Sequence, residues 1–186
     1  PRLVIVGGDP TALAIAELGV KSGFETTLVR PKGPATPPPV AGVAYRREEP
    51  EAALAVIGLD AWPSVAVATH ALDTDRAALK AALPSAAAYV GLLGARRRLA
   101  GRLAELQVEG MPEAAIARLH APIGLDIGGK SPFEVAVSVI GEITAMRYAR
   151  PSGSMSTISP AADAGALGAR RSRASEAAKT LTSEES

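Results

Sequence analysis

Cysteine is absent from this 186-residue sequence, which excludes a disulfide framework, a thiolate metal site and any persulfide carried by the chain itself. Net charge is nearly absent too. Twenty basic side chains face 19 acidic ones, a formal charge of +1, so no global field draws the chain to nucleic acid or to a membrane surface. No apolar run approaches the roughly 20 residues of a membrane-spanning helix. No basic-then-apolar leader stands at the start. A soluble, cytoplasmic protein is expected. Aromatic residues are scarce at 3%, while Ala, Val, Leu and Ile abound, which favours helices on parallel strands over a β-sandwich. The length suits one ordinary domain with an extension, and Pro1 leads at once into a strand, as in a fragment of something longer.

What is present is an alternation of strand and helix signals. Leu3–Val6 is a β-branched run closed by Gly7-Gly8, as a buried parallel strand would be. Asp9-Pro10 then supplies an N-cap and a first helical residue, and the helix stops at Gly23. Thr26–Val29 is a second strand, completing a right-handed βαβ unit. Further strands are expected at Val43–Tyr45, Val65–Ala68 and Ala87–Leu92, and helices at Glu51–Ile57, about Asp75–Leu83, from Leu99 through Leu103 and Leu106 to Gly110, and briefly from Pro112. Ser131-Pro132-Phe133-Glu134 is a capping box with proline at the first helical position, opening a helix to about Tyr148. The pattern predicts a Rossmann-like, doubly wound, mostly parallel sheet of five or so strands over residues 1–150. Residues 151–186 are rich in Ser, Ala, Gly and Thr and poor in large apolar side chains, so a disordered tail is expected.

In such sheets ligands gather at the carboxyl ends of the strands. The first turn there is Gly7-Gly8-Asp9-Pro10-Thr11-Ala12. A dinucleotide fingerprint needs glycine where Asp9 stands, and that carboxylate caps the amides an anion would want while repelling the anion itself. Arg30, after the second strand, replaces the acid that would hold a ribose 2′-hydroxyl. It suits an extra phosphate or faces solvent. The second turn, Gly91-Leu92-Leu93-Gly94-Ala95, runs into Arg96, Arg97 and Arg98. Cations there oppose the helix dipole at up to about 1 kcal/mol each, unless an anion meets them. A solvated basic face continued by Arg102 is the alternative. Gly124–Ser131 matches the phosphate-loop pattern G-x-x-x-x-G-K-S, but the preceding His120-Ala121-Pro122-Ile123 is too short and proline-broken for a central strand, and Ser131 is better explained as an N-cap. A metal site joining His70 to Asp73, Asp75 or Asp126 matches no ligand spacing, and no G-x-S-x-G nucleophile elbow exists.

Read together, Thr69-His70, the run Tyr89–Arg97 and the run His120–Gly128 (HAPIGLDIG) resemble the successive signatures of the XdhC/CoxI family over about residues 2–148, HAPIGLDIG being the most specific. Gly7-Gly8 is followed by Asp9-Pro10 where that family usually has a glycine-histidine pair, and Arg30 stands where it usually has an acid. The resemblance implies a Rossmann-like C-terminal domain, normally preceded by a smaller one. It also implies an accessory chaperone, not a catalyst, that binds molybdenum cofactor (molybdopterin or its dinucleotide form) and helps deliver it, sulfurated, to an apo-molybdoenzyme such as xanthine dehydrogenase or a carbon monoxide dehydrogenase-type enzyme. A cysteine desulfurase and a second copy of the chain are further candidate partners. The corresponding cofactor-binding set is Gly7, Gly8, Thr69, His70, Gly91, Gly94, Arg96, Arg97, His120, Pro122, Gly124 and Asp126, with the arginine-flanked turn as phosphate cradle. The alternatives are an NAD(P)-dependent oxidoreductase, suggested by the βαβ opening, and a degenerate scaffold that only contacts a partner enzyme.

Overall fold

The computed structural model describes residues 1–150, with the side chains of Arg96 and Arg98 excepted. The tail expected over 151–186 lies outside the described residues. Six parallel strands form one sheet in the order β3-β2-β1-β4-β5-β6. They are β1 (Arg2–Gly7), β2 (Glu25–Val29), β3 (Val43–Arg46), β4 (Pro63–Ala68), β5 (Tyr89–Leu92) and β6 (Leu119–His120). The helices are α1 (Pro10–Lys21), α2 (Pro50–Ile57), α3 (Leu72–Ala82), α4 (Arg96–Val108), α5 (Glu113–Ile116) and α6 (Pro132–Arg147). The strand order reverses between β1 and β4, the position where doubly wound sheets open a ligand crevice.

Successive residues along each strand feed opposite faces, because side chains alternate across a pleated strand. Leu3, Ile5, Leu28, Ala66 and Tyr89 pack with α1 and α6, whereas Val4, Val6, Val29, Val65, Val67 and Val90 pack with residues of α2, α3 and α4. Both faces are therefore covered. That is why β1 and β4 read as continuous apolar runs without alternation.

Several boundaries shift by a residue or two from the sequence reading, β4 beginning at Pro63 and β5 at Tyr89, and two differences are larger. α3 begins at Leu72, three residues before Asp75, because the Ala71 N–H is bonded to Thr69 Oγ1 at 3.0 Å and Asp73 and Asp75 then fall in the first turn, favourably placed on the helix dipole. The two-residue β6 adds a sixth strand at the sheet edge, where Pro122 interrupts no further pairing. The α6 capping box forms as the motif predicts: Ser131 Oγ accepts from the Glu134 N–H, and the Glu134 carboxylate accepts from the Ser131 N–H.

Candidate functional site

The carboxyl ends of β1, β4, β5 and β6 bring four sequence-distant turns to one edge of the sheet. At the β1 turn, Gly7 has φ +156°, and a Cβ there would stand 2.0 Å from the Ala68 carbonyl oxygen, so only glycine lets β1 and β4 close up at the switch point. Gly8 is also confined. A Cβ on it would lie 2.2 Å from Nε of Arg30, whose half-buried side chain is folded over the turn. Arg30 thus does not merely face solvent. It covers the backbone that a dinucleotide pyrophosphate would approach.

Asp9 caps α1 as expected, its Oδ1 accepting from the Ala12 N–H at 2.7 Å. Its other oxygen lies 2.9 Å from Nε2 of His70, an exposed side chain beyond β4. The pair straddles the switch point, so the first turn already carries a negative partner, and an anion is disfavoured at α1.

Thr69 is occupied internally. Its hydroxyl donates to Asp75 Oδ1 at 2.7 Å while receiving the Ala71 N–H, tying the β4 turn to α3. Asp75 is 2% exposed, and burial pushes its carboxyl above the usual carboxylate range, partly offset by the Thr69 hydroxyl and by the Arg102 charge. Nη1 of Arg102 approaches Asp75 Oδ2 at 2.9 Å. Arg102 therefore does not continue a solvated basic face: only 14% of its side chain is exposed.

The β5 turn differs from the β1 turn in its helix start. α4 has Ala95 at its N-cap with no side-chain capping bond and no acid in its first turn, whereas Arg96, Arg97 and Arg98 occupy that turn and Arg97 is exposed. The first backbone N–H groups of a helix have no intrahelical acceptor, so an uncapped, cationic start suits a polyanion. Gly91 lies beneath this turn. A Cβ on it would stand 2.5 Å from the side chain of Ile123, so Gly91 serves the seating of the 120–128 loop.

That loop is pinned by Glu142 of α6. Its Oε2 accepts from the Tyr89 hydroxyl and, at 2.8 Å, from the Gly124 N–H. Its Oε1 lies 3.4 Å from His120 Nδ1, and the imidazole stacks on the Tyr89 ring at 4.5 Å between centroids. Burial first, and then the bond to Glu142, push the Tyr89 phenol up, so it stays protonated and donates. His120 and Gly124 are thus bound within the protein on the α6 side of the sheet. Pro122, after the cis Ala121-Pro122 bond, lies beside Gly94 and Ala95 around a small cavity of about 10 Å³. Asp126 belongs to the same loop, and it too has an interaction partner.

The phosphate-loop match is not built as one. Gly124 gives its N–H to Glu142, and Lys130 and Ser131 give theirs to Glu134 at 2.9 and 2.8 Å, so carboxylates hold amides that a phosphate would need. No group of three or more metal-ligating side chains gathers among the described residues. A hollow of about 970 Å³ is an open trough off β3 lined by Lys32, Tyr45, Arg46 and Glu49. We favour the switch-point edge over this trough because the trough has no buried wall. Another cavity, of about 280 Å³, lies at the opposite, amino ends of the strands beside Trp62, Tyr89 and Met146.

The sequence pointed to most of the turns at this edge, but not to Arg102, Asp9–His70 or Glu142 as partners. Only Glu142 left a trace, as a lone acid on the apolar face of a helix otherwise packed on the sheet.

A family model described as the XdhC Rossmann domain matches residues 3–143. An uncharacterized protein, YqeB of Escherichia coli K12, is 33% identical over 159 residues, 83% of this chain and 29% of that one. A probable xanthine dehydrogenase subunit from Bacillus subtilis is 28% identical over 152 residues, 79% of this chain and 43% of that one. The chain thus spans less than half the length of either relative. The crystal structure of a xanthine dehydrogenase from Bacillus halodurans superposes with a TM-score of 0.66 at 24% identity, covering 81% of this chain and 43% of that one, a likeness of fold.

Proposed function

The chain belongs to the XdhC Rossmann-domain family, and on that premise we propose that it binds molybdenum cofactor, as molybdopterin or its dinucleotide form, and acts as a maturation factor for a xanthine dehydrogenase-type molybdoenzyme. One observation carries this reading: α4 starts at the carboxyl edge of the sheet from Ala95, which offers no side-chain cap, and its first turn holds three consecutive arginines and no acid. A phosphorylated pterin is an anion, and amides together with guanidiniums are the donor set it fits. The contrast with α1 gives the site its address, since Asp9 fills the α1 terminus and Arg30 covers Gly8.

In this reading Gly94, Arg96 and Arg97 hold the phosphate end, with Pro122 on the facing turn. Thr69 holds one wall in place through Asp75, and Glu142 holds the other through Tyr89 and Gly124. The cofactor, when bound, supplies the molybdenum chemistry of the enzyme that receives it. The chain itself has no cysteine, so sulfuration would be the task of a partner such as a cysteine desulfurase. An acceptor molybdoenzyme and a homodimer belong to the same proposal.

The experiment is a calorimetric titration of the 186-residue chain with molybdopterin cofactor, NADPH and Mg-ATP in parallel. Calorimetry is preferred to Trp62 fluorescence because Trp62 stands at the far, amino end of β4, about 20 Å from the site at ~3.3 Å per strand residue. Saturable cofactor binding, weakened in an Arg96→Ala, Arg97→Ala variant, is the expected result. Saturable NADPH binding alone would favour an oxidoreductase, and silence toward all three would favour a scaffold.

A further inference from the structure

Burying a charged pair costs several kcal/mol per ion unless hydrogen bonds replace the lost water. The Arg102–Asp75 pair does not meet that condition within the protein. Although Nη1 and Oδ2 are 2.9 Å apart, the contact lacks hydrogen-bond geometry, and Arg102 Nε, Arg102 Nη1 and Asp75 Oδ2 are all buried with no hydrogen-bond partner among the described residues. Other arginines here behave differently. Arg118 donates to the carbonyls of Leu83, Ser85 and Ala87, and Arg2 and Arg76 form hydrogen-bonded ion pairs at the surface.

The location explains what the free donors face. Helical side chains lean toward the helix amino terminus, so Arg102, in the second turn of α4, reaches back beneath the turn that precedes the helix. A Cβ on Gly94 would stand 3.3 Å from Nη1. The partly open cavity of about 10 Å³, bordered among others by Gly94, Ala95, Arg102 and Pro122, has room for about one oxygen-sized group. A glycine roof and an oxygen-sized space coincide there with a guanidinium whose Nη1 is ion-paired to Asp75 but makes no hydrogen bond among the described residues. Asp75 keeps the buried cation in charge balance, and Thr69 holds Asp75 in place.

We infer that Arg102 is a ligand-binding residue of this cleft, its Nε and Nη1 donors taking an oxygen of a phosphoryl group presented at the Gly94-Ala95 turn. The inference rests on the phosphate-cradle reading above and adds to it the residue that distinguishes a phosphoryl oxygen from any surface anion. Surface arginines contribute screened attraction, whereas the mostly buried guanidinium of Arg102 contributes directed hydrogen bonds. Asp75 and Thr69 are positioning residues, acting through Arg102.

The test compares three forms of the 186-residue chain by calorimetry with inorganic pyrophosphate, ADP and molybdopterin cofactor as separate probes. They are the unaltered protein, Asp75→Asn combined with Arg102→Met, and Arg102→Lys. The double variant removes both charges together and leaves Thr69 an acceptor, so no buried ion is stranded. Arg102→Lys keeps the charge but loses the planar fork, and serves if the double variant fails to fold. We expect at least a 30-fold loss of affinity in the double variant and about a tenfold loss in Arg102→Lys, for whichever probe binds the unaltered protein. Binding of pyrophosphate and ADP together with the cofactor would mean a general phosphoryl site, and binding of the cofactor alone would mean a pterin phosphate. Either supports the assignment if the variants lose it. Undiminished affinity in a folded variant, while Arg96→Ala, Arg97→Ala still weakens binding, overturns the role of Arg102 and leaves the cradle standing. No binding of any probe by the unaltered protein overturns both.

Discussion

Glu142→Ala is the perturbation that most directly tests how the 120–128 loop is held. The carboxylate accepts two protein donors, the buried Tyr89 hydroxyl and the Gly124 N–H, and neighbours His120. Removing it strands both donors, and Tyr89 is only 3% exposed. An unsatisfied buried donor costs about 1–3 kcal/mol, so the loss should be about 3–5 kcal/mol, with the Gly124 N–H partly recovered by water. For a domain of this size that is roughly a 6–20 °C fall in midpoint, at about 2–4 °C per kcal/mol. Urea and thermal unfolding followed by circular dichroism measure the loss. Hydrogen exchange of the Gly124 amide should accelerate beyond the global change. Tyr89→Phe in the Glu142→Ala background removes one stranded donor and should recover about 1–2 kcal/mol. A loss below 1 kcal/mol, or no recovery in the double variant, would refute the assignment of Glu142 as the pin of this loop.

Four further outcomes are expected. His120→Phe, which keeps a ring over Tyr89, should leave cofactor affinity within about twofold in calorimetry, because the imidazole is turned to Glu142 and not to the cleft. Gly7→Ala should destabilise the domain by about 3 kcal/mol in urea unfolding, since the new methyl meets the Ala68 carbonyl and not a movable side chain. Ser131→Ala should cost about 1 kcal/mol through the lost cap, and neither it nor the unaltered protein should bind Mg-ATP in a nucleotide titration. The fourth concerns pH. Burial raises the Asp75 carboxyl, so the folded state binds its proton more readily than the unfolded state, and this group favours folding as pH falls toward the ordinary value of 3.8. Glu109 and Glu134 are lowered by their hydrogen bonds and act in the opposite sense, their contribution lost on acidification. Asp75→Asn should therefore lose stability more steeply than the parent in denaturation series run from neutral to acid pH.

The helical and strand elements were legible because their signals are local. A capping box is read within four residues, and a buried parallel strand shows as one uninterrupted apolar run, so β1, β4, α1 and α6 could be placed before any contact was known. The same reading ranked the β5 turn above the β1 turn as an anion site, since Asp9 and the arginines carry their charge in the sequence itself. The family motifs carried over for the same reason, being contiguous. What each side chain faces was decided elsewhere. Tyr89 and Glu142 are 53 residues apart and meet only because β5 lies beside the edge strand under α6. Asp9 reaches His70 because the strand order reverses between β1 and β4, and Arg102 reaches Asp75 because α3 and α4 share a face. Charge, cap and periodicity are properties of a segment and are fixed by sequence. Burial and pairing are properties of two segments brought together, and the sheet order alone determines which two those are.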